Sequence, residues 1–314
     1  MNVFITGGTG FLGRALTDRL LAEGHAVTIL SRGQPQRQQY TPTLSYVLGD
    51  PAHPGHWQEA LADHEVVINL AGASIFRRWS EESKKVLRES RIATTRNLVA
   101  GLAARKGQPT TLITGSAVGY YGFHRDEEID ENGAGGSDFL ATLCRDWEAA
   151  AMEAEPLGVR VIPCRIGVII GPDGGALSRM LTAFRFGLGS PLGKGSQWFS
   201  WIHLDDLVNA FLFLIRNQSL TGPVNCTAPQ PVTNREMSRA LARALNRPLM
   251  PAAPAFLVRL ALGEFGSVLL EGQRVVPKKL QDHGFSFRYP AIAGAFRQVV
   301  RGAAPAPVPD LASR

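Results

Sequence analysis

The chain has 314 residues, 45% of them hydrophobic and 19% charged, which is enough to bury a large core and too apolar for a disordered chain. Its 33 basic residues outnumber 27 acidic ones for a net charge of +6, but the surplus is scattered, without the basic patch and aromatic platforms of a nucleic-acid groove, and suits an anionic small ligand instead. Three well-separated cysteines, Cys144, Cys164 and Cys226, make no disulfide framework or metal motif, and neither a signal-peptide pattern nor an apolar run of ~18 residues occurs, so a cytoplasmic protein with no metal, nucleic-acid or membrane partner is expected.

An apolar run over 2–5 ends in glycines, apolar residues then recur at helical spacing from Phe11 to Ala22, and a second short apolar run covers 26–30. Strand, glycine turn, helix and strand in about thirty residues make a βαβ unit with parallel strands. The alternation continues with a strand at 44–48, a helix near 55–62, a strand at 66–70 and a long helix over about 80–104. After these come a strand at 111–114, a helix at 138–154 and a strand at 160–170. The fold class expected is therefore α/β, a doubly wound parallel Rossmann sheet with a smaller C-terminal α/β lobe.

Beyond 170 the rhythm changes. Residues 171–200 are glycine-rich, a helix at 205–216 and a short strand at 223–228 follow, and proline-divided helices at 234–245 and 255–262 precede a strand-like stretch at 285–289. The expected division is a nucleotide-binding domain over 1–171, to which 203–227 returns, and a substrate lobe built from 172–202 and 228–302. A proline-rich disordered tail over 303–314 completes the chain.

The turn after the first strand reads Thr6-Gly7-Gly8-Thr9-Gly10-Phe11-Leu12-Gly13. Glycines between a strand and a helix permit a tight turn and bring backbone N–H groups to a pyrophosphate at the helix N-terminus, so Gly7, Thr9, Gly10, Phe11, Leu12 and Gly13 are the expected pyrophosphate site. At the end of the second strand an acid would bind the ribose hydroxyls of NAD. Ser31 and Arg32 stand there instead, a pair suited to the 2′-phosphate of NADP, with a solvated loop arginine as the alternative. Leu70, Ala71 and Gly72 close a further strand with small residues that let backbone approach a cofactor.

These residues resemble the extended short-chain dehydrogenases and, more narrowly, the NAD-dependent epimerase/dehydratase-like branch also called cell-division-inhibitor-like (SulA-like). The resemblance rests on the glycine turn, Asn69-Leu70-Ala71-Gly72, Ser90-Arg91, the run from Gly115 to Gly122, Trp147-Glu148, the run from Gly193 to Asp206, and Leu270 to Pro277. It implies NADP as cofactor, with Ser31 and Arg32 at the 2′-phosphate, Leu70 and Ala71 along the cofactor, and Arg91 reaching it from the long helix.

Ordinary members of that superfamily carry a serine, a tyrosine and a lysine four residues after the tyrosine. Ser116 matches the serine, but the other two positions hold Leu140 and Cys144, and none of the five tyrosines is followed by a lysine at that spacing. Tyr120 and Tyr121 are the nearest phenols, and Tyr121 is a proton donor if its pKa is lowered and a pocket wall or substrate contact otherwise. Cys144 reads as an apolar helix residue and Asp205 as a helix N-cap after His203, while Gln197, Trp198 and Trp201 are pocket-lining or core residues.

Two functions remain open. One is an NADP-dependent oxidoreductase or epimerase-like enzyme in which Ser116 and Tyr121 polarise a small substrate. The other is a nucleotide-responsive binding or regulatory protein without turnover, its link to cell division coming from the family name alone. Substrate, reaction direction and oligomeric state, a homodimer included, are left open.

Overall fold

A computed structural model describes residues 1–33, 42–172 and 174–301. The expected tail at 303–314 lies outside them. Seven strands form one sheet: β1 (Asn2–Thr6), β2 (Ala26–Ser31), β3 (Leu44–Leu48), β4 (Val66–Asn69), β5 (Thr110–Ala117), β6 (Val159–Ile166) and β7 (Val224–Cys226). They lie in the order β3-β2-β1-β4-β5-β6-β7, every pair parallel. β1 pairs with both β2 and β4, so the winding reverses there, and the carboxyl ends of these strands are where sheets of this kind bind their ligands.

Helices cover both faces, which is why the central strands read as continuous apolar runs. Those on the sheet are α1 (Phe11–Ala22), α2 (Glu81–Leu102), α3 (Phe139–Met152) and α5 (Leu204–Arg216), and away from it lie α4 (Gly175–Arg185), α6 (Asn234–Ala244), α7 (Ala255–Leu262) and α8 (Glu264–Leu269). α1 and α5 bury Leu16, Leu20 and Phe211 against Ile5, Ile29 and Ile113 on one face. On the other, Leu98 of α2, Ala151 of α3 and Trp57 pack on Phe4, Val67 and Leu112. No described helix is long and apolar enough to cross a membrane. Around Trp201, α4, α6 and the helix Ile292–Arg301 enclose a smaller core containing Leu177, Leu241 and Phe296.

Four local expectations change. The stretch at 160–170 is two strands: the Gly167 amide turns to the Cys226 carbonyl (3.1 Å) and a Cβ there would meet the Ser200 carbonyl oxygen at 2.9 Å. Val168–Ile170 then pairs with Trp201–His203 in the lobe. The stretch at 285–289 is not a strand, because the Arg288 and Tyr289 amides donate to the buried Asp206 carboxylate (2.7 and 2.9 Å). Its aromatic alternation serves packing, with Phe285 against Phe213 and Phe287. The helix near 55–62 is a 3₁₀ segment, His56–Asp63, and the glycine-rich run after 171 contains α4.

Candidate functional site

At the switch point the chain is built around what a side chain would hit. A Cβ on Gly7, whose φ is +71°, would lie 2.7 Å from the Leu70 carbonyl, and one on Gly13 would lie 2.2 Å from the Gly7 carbonyl oxygen. Those two glycines therefore let the turn press against Leu70 and Ala71 and let α1 begin directly on it. Gly10 is less confined: a Cβ there would press on the Gly7 carbonyl oxygen alone, at 3.1 Å. Thr9 and Gly10 are exposed, and no acidic residue occupies the first turn of α1.

Thr6 donates its hydroxyl proton to Asn69 Oδ1 (2.7 Å), Asn69 Nδ2 donates to Thr95 (2.8 Å), and the Ala71 amide donates to Thr6 Oγ1 (3.3 Å). The carboxyl ends of β1 and β4 are thus locked side by side. At the end of β2, Ser31 Oγ donates to the Gly33 carbonyl (2.7 Å) and the Arg32 side chain is exposed. Phe11 is sheltered by the turn holding Gly171, Gly174 and Gly175.

Arg91 sits beneath this loop. Its Nη1 donates to the Leu87 carbonyl and its Nη2 to the Ala73 carbonyl (both 3.1 Å), while its guanidinium lies 5.2 Å from the Trp147 ring centre. Burial lowers its pKa, and among the described residues no carboxylate pairs with it. It holds the Gly72–Ala73 backbone in place and is a cation without a counter-charge among the described residues, a feature that fits an anionic cofactor.

The chemistry-bearing half of the edge is organised differently. Ser116, at the end of β5, donates to Glu148 Oε1 on α3 (2.6 Å). Arg165, directly across the β5–β6 register from Ser116, grips Glu148 through Nε–Oε1 (2.9 Å) and Nη2–Oε2 (2.8 Å). All three are buried. Burial alone would lower the Arg165 pKa, but the Glu148 carboxylate raises it, so the guanidinium is permanently charged. Its plane also lies 3.4 Å from the Tyr120 ring centre.

Tyr121 is not poised as the expected proton donor. It is fully buried, its hydroxyl donates to Asn225 Oδ1 (2.7 Å) and accepts from Arg165 Nη1 (3.0 Å), and burial pushes its pKa up to about 12. Asn225 is fixed in turn by the Glu131 carboxylate at its amide and by the Val276 carbonyl. Sequence reasoning passed over Glu148, Arg165, Asn225 and Glu131 as functional groups. One signal was present: an arginine inside the apolar strand 159–166 needs a buried partner.

Where a tyrosine and a lysine would stand, the surface is apolar. A Cβ on Gly119 would touch Leu140 at 3.4 Å, and burial pushes the Cys144 thiol up to about 12. Leu140 joins Phe76, Trp79, Phe139, Phe265 and Leu269 in one apolar cluster between α2, α3 and α8. The remaining candidates are structural. His203, not Asp205, caps α5: its Nδ1 accepts the Asp205 amide (3.1 Å), and its Nε2 meets Gln298 (3.0 Å). Trp201 is core, Trp198 donates to Asp126, and Gln197 bridges the Leu192 and Leu269 carbonyls. Among the described residues no cluster of His, Cys, Asp and Glu forms a metal site.

The profile of the NAD dependent epimerase/dehydratase family matches residues 3–226, the whole of the seven-stranded sheet from Val3 onward. The chain belongs to that family. A domain of unknown function, DUF1731, matches residues 253–299. The epimerase family protein SDR39U1 homolog, chloroplastic, of Arabidopsis thaliana is 41% identical over 303 residues, covering 96% of this chain and 87% of that protein. Epimerase family protein YfhF of Bacillus subtilis is 38% identical, covering 96% and 98%. The crystal structure of human epimerase family protein SDR39U1 (isoform2) with NADPH superposes with a TM-score of 0.84 at 32% identity, covering 96% of this chain and all of that one. These names speak of an epimerase family and give the SulA-like label no support.

Proposed function

We propose that this chain is an NADP(H)-dependent oxidoreductase or epimerase-like enzyme whose proton-handling group is the Ser116–Glu148 pair. The observation that carries the reading is the placement of this pair, held by Arg165, two strands from the glycine turn at the same carboxyl edge, about 10 Å away by strand spacing. The human structure with NADPH supports the cofactor.

The residues fit that group: the amides around Gly7, Thr9, Gly10, Phe11, Leu12 and Gly13 would hold its pyrophosphate and Ser31 with Arg32 its 2′-phosphate. Leu70, Ala71 and Gly72 would lie along it on the loop that Arg91 supports. Bound NADP(H) supplies acceptance or donation of a hydride.

Ser116 already gives its proton to Glu148, so its oxygen is set to take one from a substrate hydroxyl while passing its own to the carboxylate. Arg165, bonded to both oxygens of Glu148, holds the carboxylate in line with the Ser116 hydroxyl. The apolar cluster around Leu140 favours a carbonyl or alcohol with an apolar body. Three cysteines without a disulfide fit a reducing compartment, the cytoplasm.

Isothermal calorimetry with NADPH and NADH, followed by single-turnover assays against a panel of aldehydes, ketones and alcohols, tests the assignment. Ser116→Ala and Glu148→Gln should each lower the chemical step by ~10²-fold or more with cofactor affinity unchanged. Wild-type rates in both variants refute the relay. The closed character of the Ser116–Tyr121 network favours a second reading, a cofactor-binding protein without turnover, and that reading gains if NADPH binds and no compound on the panel reacts.

A further inference from the structure

Ten large apolar side chains stand exposed among the described residues, and seven of them fall in 186–188 and 250–262. Phe186 is 78% exposed, Leu260 73% and Phe256 66%. The two segments are neighbours: the Met250 amide donates to the Gly189 carbonyl and the Ala253 amide to the Pro191 carbonyl, each at 2.8 Å. A Cβ on Gly187 would lie 3.6 Å from Pro248. α7, with the sequence AFLVRLAL, buries Val258 and presents the rest of its apolar surface outward. A helix this apolar is ordinarily covered, and an apolar face this concentrated ordinarily marks a contact surface.

Its charge is as biased as its hydropathy. Residues 175–194 and 243–262 carry Arg179, Arg185, Lys194, Arg243, Arg247 and Arg259 and no aspartate or glutamate, in a chain where acids nearly balance bases. All six cations are exposed. The next acid in the chain, Glu264, is paired with Lys84 (2.7 Å); a folded protein partner is usually met by a mixed polar rim, whereas an apolar face whose own two segments carry cations alone matches a phosphate-rich layer over hydrocarbon.

We propose that this face docks on an anionic membrane surface. Phe186, Leu188, Phe256, Leu257 and Leu260 enter the boundary between headgroups and acyl chains, and the arginines pair with lipid phosphates. No membrane span is involved. A search for long apolar runs misses such a face because it is assembled from two segments distant in sequence. α8 follows α7 directly and carries Phe265, Val268 and Leu269 into the apolar cluster beside Leu140. The docked face therefore continues into a wall of the candidate cleft, although docking stands independently of the oxidoreductase reading.

The test is cosedimentation of the full chain with phosphatidylcholine vesicles with and without phosphatidylglycerol, across a salt series. Binding is expected to the anionic vesicles alone, weakening as salt rises. Phe256→Ser/Leu260→Ser and Arg185→Ala/Arg259→Ala, all at exposed positions and checked for fold by circular dichroism, should each bind at least ~10-fold more weakly, a loss of about 1.4 kcal/mol. Failure of the wild-type chain to bind anionic vesicles overturns the proposal, as does undiminished binding by both folded variants. A wild-type dimer that Phe256→Ser/Leu260→Ser splits, without vesicle binding, assigns the face to a second copy and overturns it equally.

Discussion

The two halves of the sheet's carboxyl edge are built on opposite principles. Around β1 and β4 the site is backbone: glycines bring peptide groups close together, and the side chains nearby, Thr6, Asn69 and Arg91, hold backbone in place. Around β5 and β6 it is side chain, with Ser116, Glu148, Arg165, Tyr121 and Asn225 joined in one buried network. A backbone site tolerates most changes that add no atoms to its cleft. A buried charged network tolerates none that removes one partner alone.

Gly10→Val is the sharpest probe of the backbone half. Gly10 has φ −78° and a Cβ would press on the Gly7 carbonyl oxygen alone, at 3.1 Å, so the chain should still fold once the turn gives by a few tenths of an ångström, while the side chain occupies the pyrophosphate's place and abolishes NADPH binding. Unchanged affinity by NADPH fluorescence would mean that the cofactor does not sit there.

In the network half, Glu148→Leu or Arg165→Met alone should cost about 3–5 kcal/mol in urea unfolding, because each leaves an uncompensated buried charge. The double variant should recover most of that loss. If the single losses simply add, the pair is not coupled and the contrast between the halves fails.

Arg32→Ala removes a charged partner without opening any core. It should weaken NADPH by tenfold or more, from about 1.5–3 kcal/mol for a charge-assisted hydrogen bond, and leave NADH nearly unaffected. Equal calorimetric losses for the two cofactors would return Arg32 to solvent.

The smallest effect expected is that of Tyr121→Phe. Removing one hydroxyl leaves Asn225 Oδ1 and one Arg165 N–H without a partner, a destabilisation of about 1–3 kcal/mol. The chemical step should be unchanged, since a phenol held at a pKa of about 12 and turned into the core has no part in the relay. A large fall in single-turnover rate with normal stability would restore it as the proton donor.

What could be read without coordinates follows the same division. The glycine turn lies within eight consecutive residues, its tightness depends on the absence of side chains, and its position between an apolar run and a helical repeat is visible in the chain. The missing tyrosine and lysine were visible in the same way, as two residue types at one helical spacing. What replaces them was not: Ser116 lies 32 residues from Glu148, and Tyr121 lies 104 from Asn225. Their meeting depends on strand register.

By itself, then, the sequence determined the alternation of short buried strands and amphipathic helices, the glycine turn between the first of each, and the absence of an acid after β2, because each is a property of neighbouring residues. Only the tertiary structure decided that Tyr121 faces inward, that Arg165 neutralises Glu148, that Gly167 divides a strand, and that α7 presents its apolar side to solvent. Each of these is settled by which distant segment arrives at a given strand edge or helix face. That choice is set by packing and by the pairing of buried charges across the whole chain, not by local propensity.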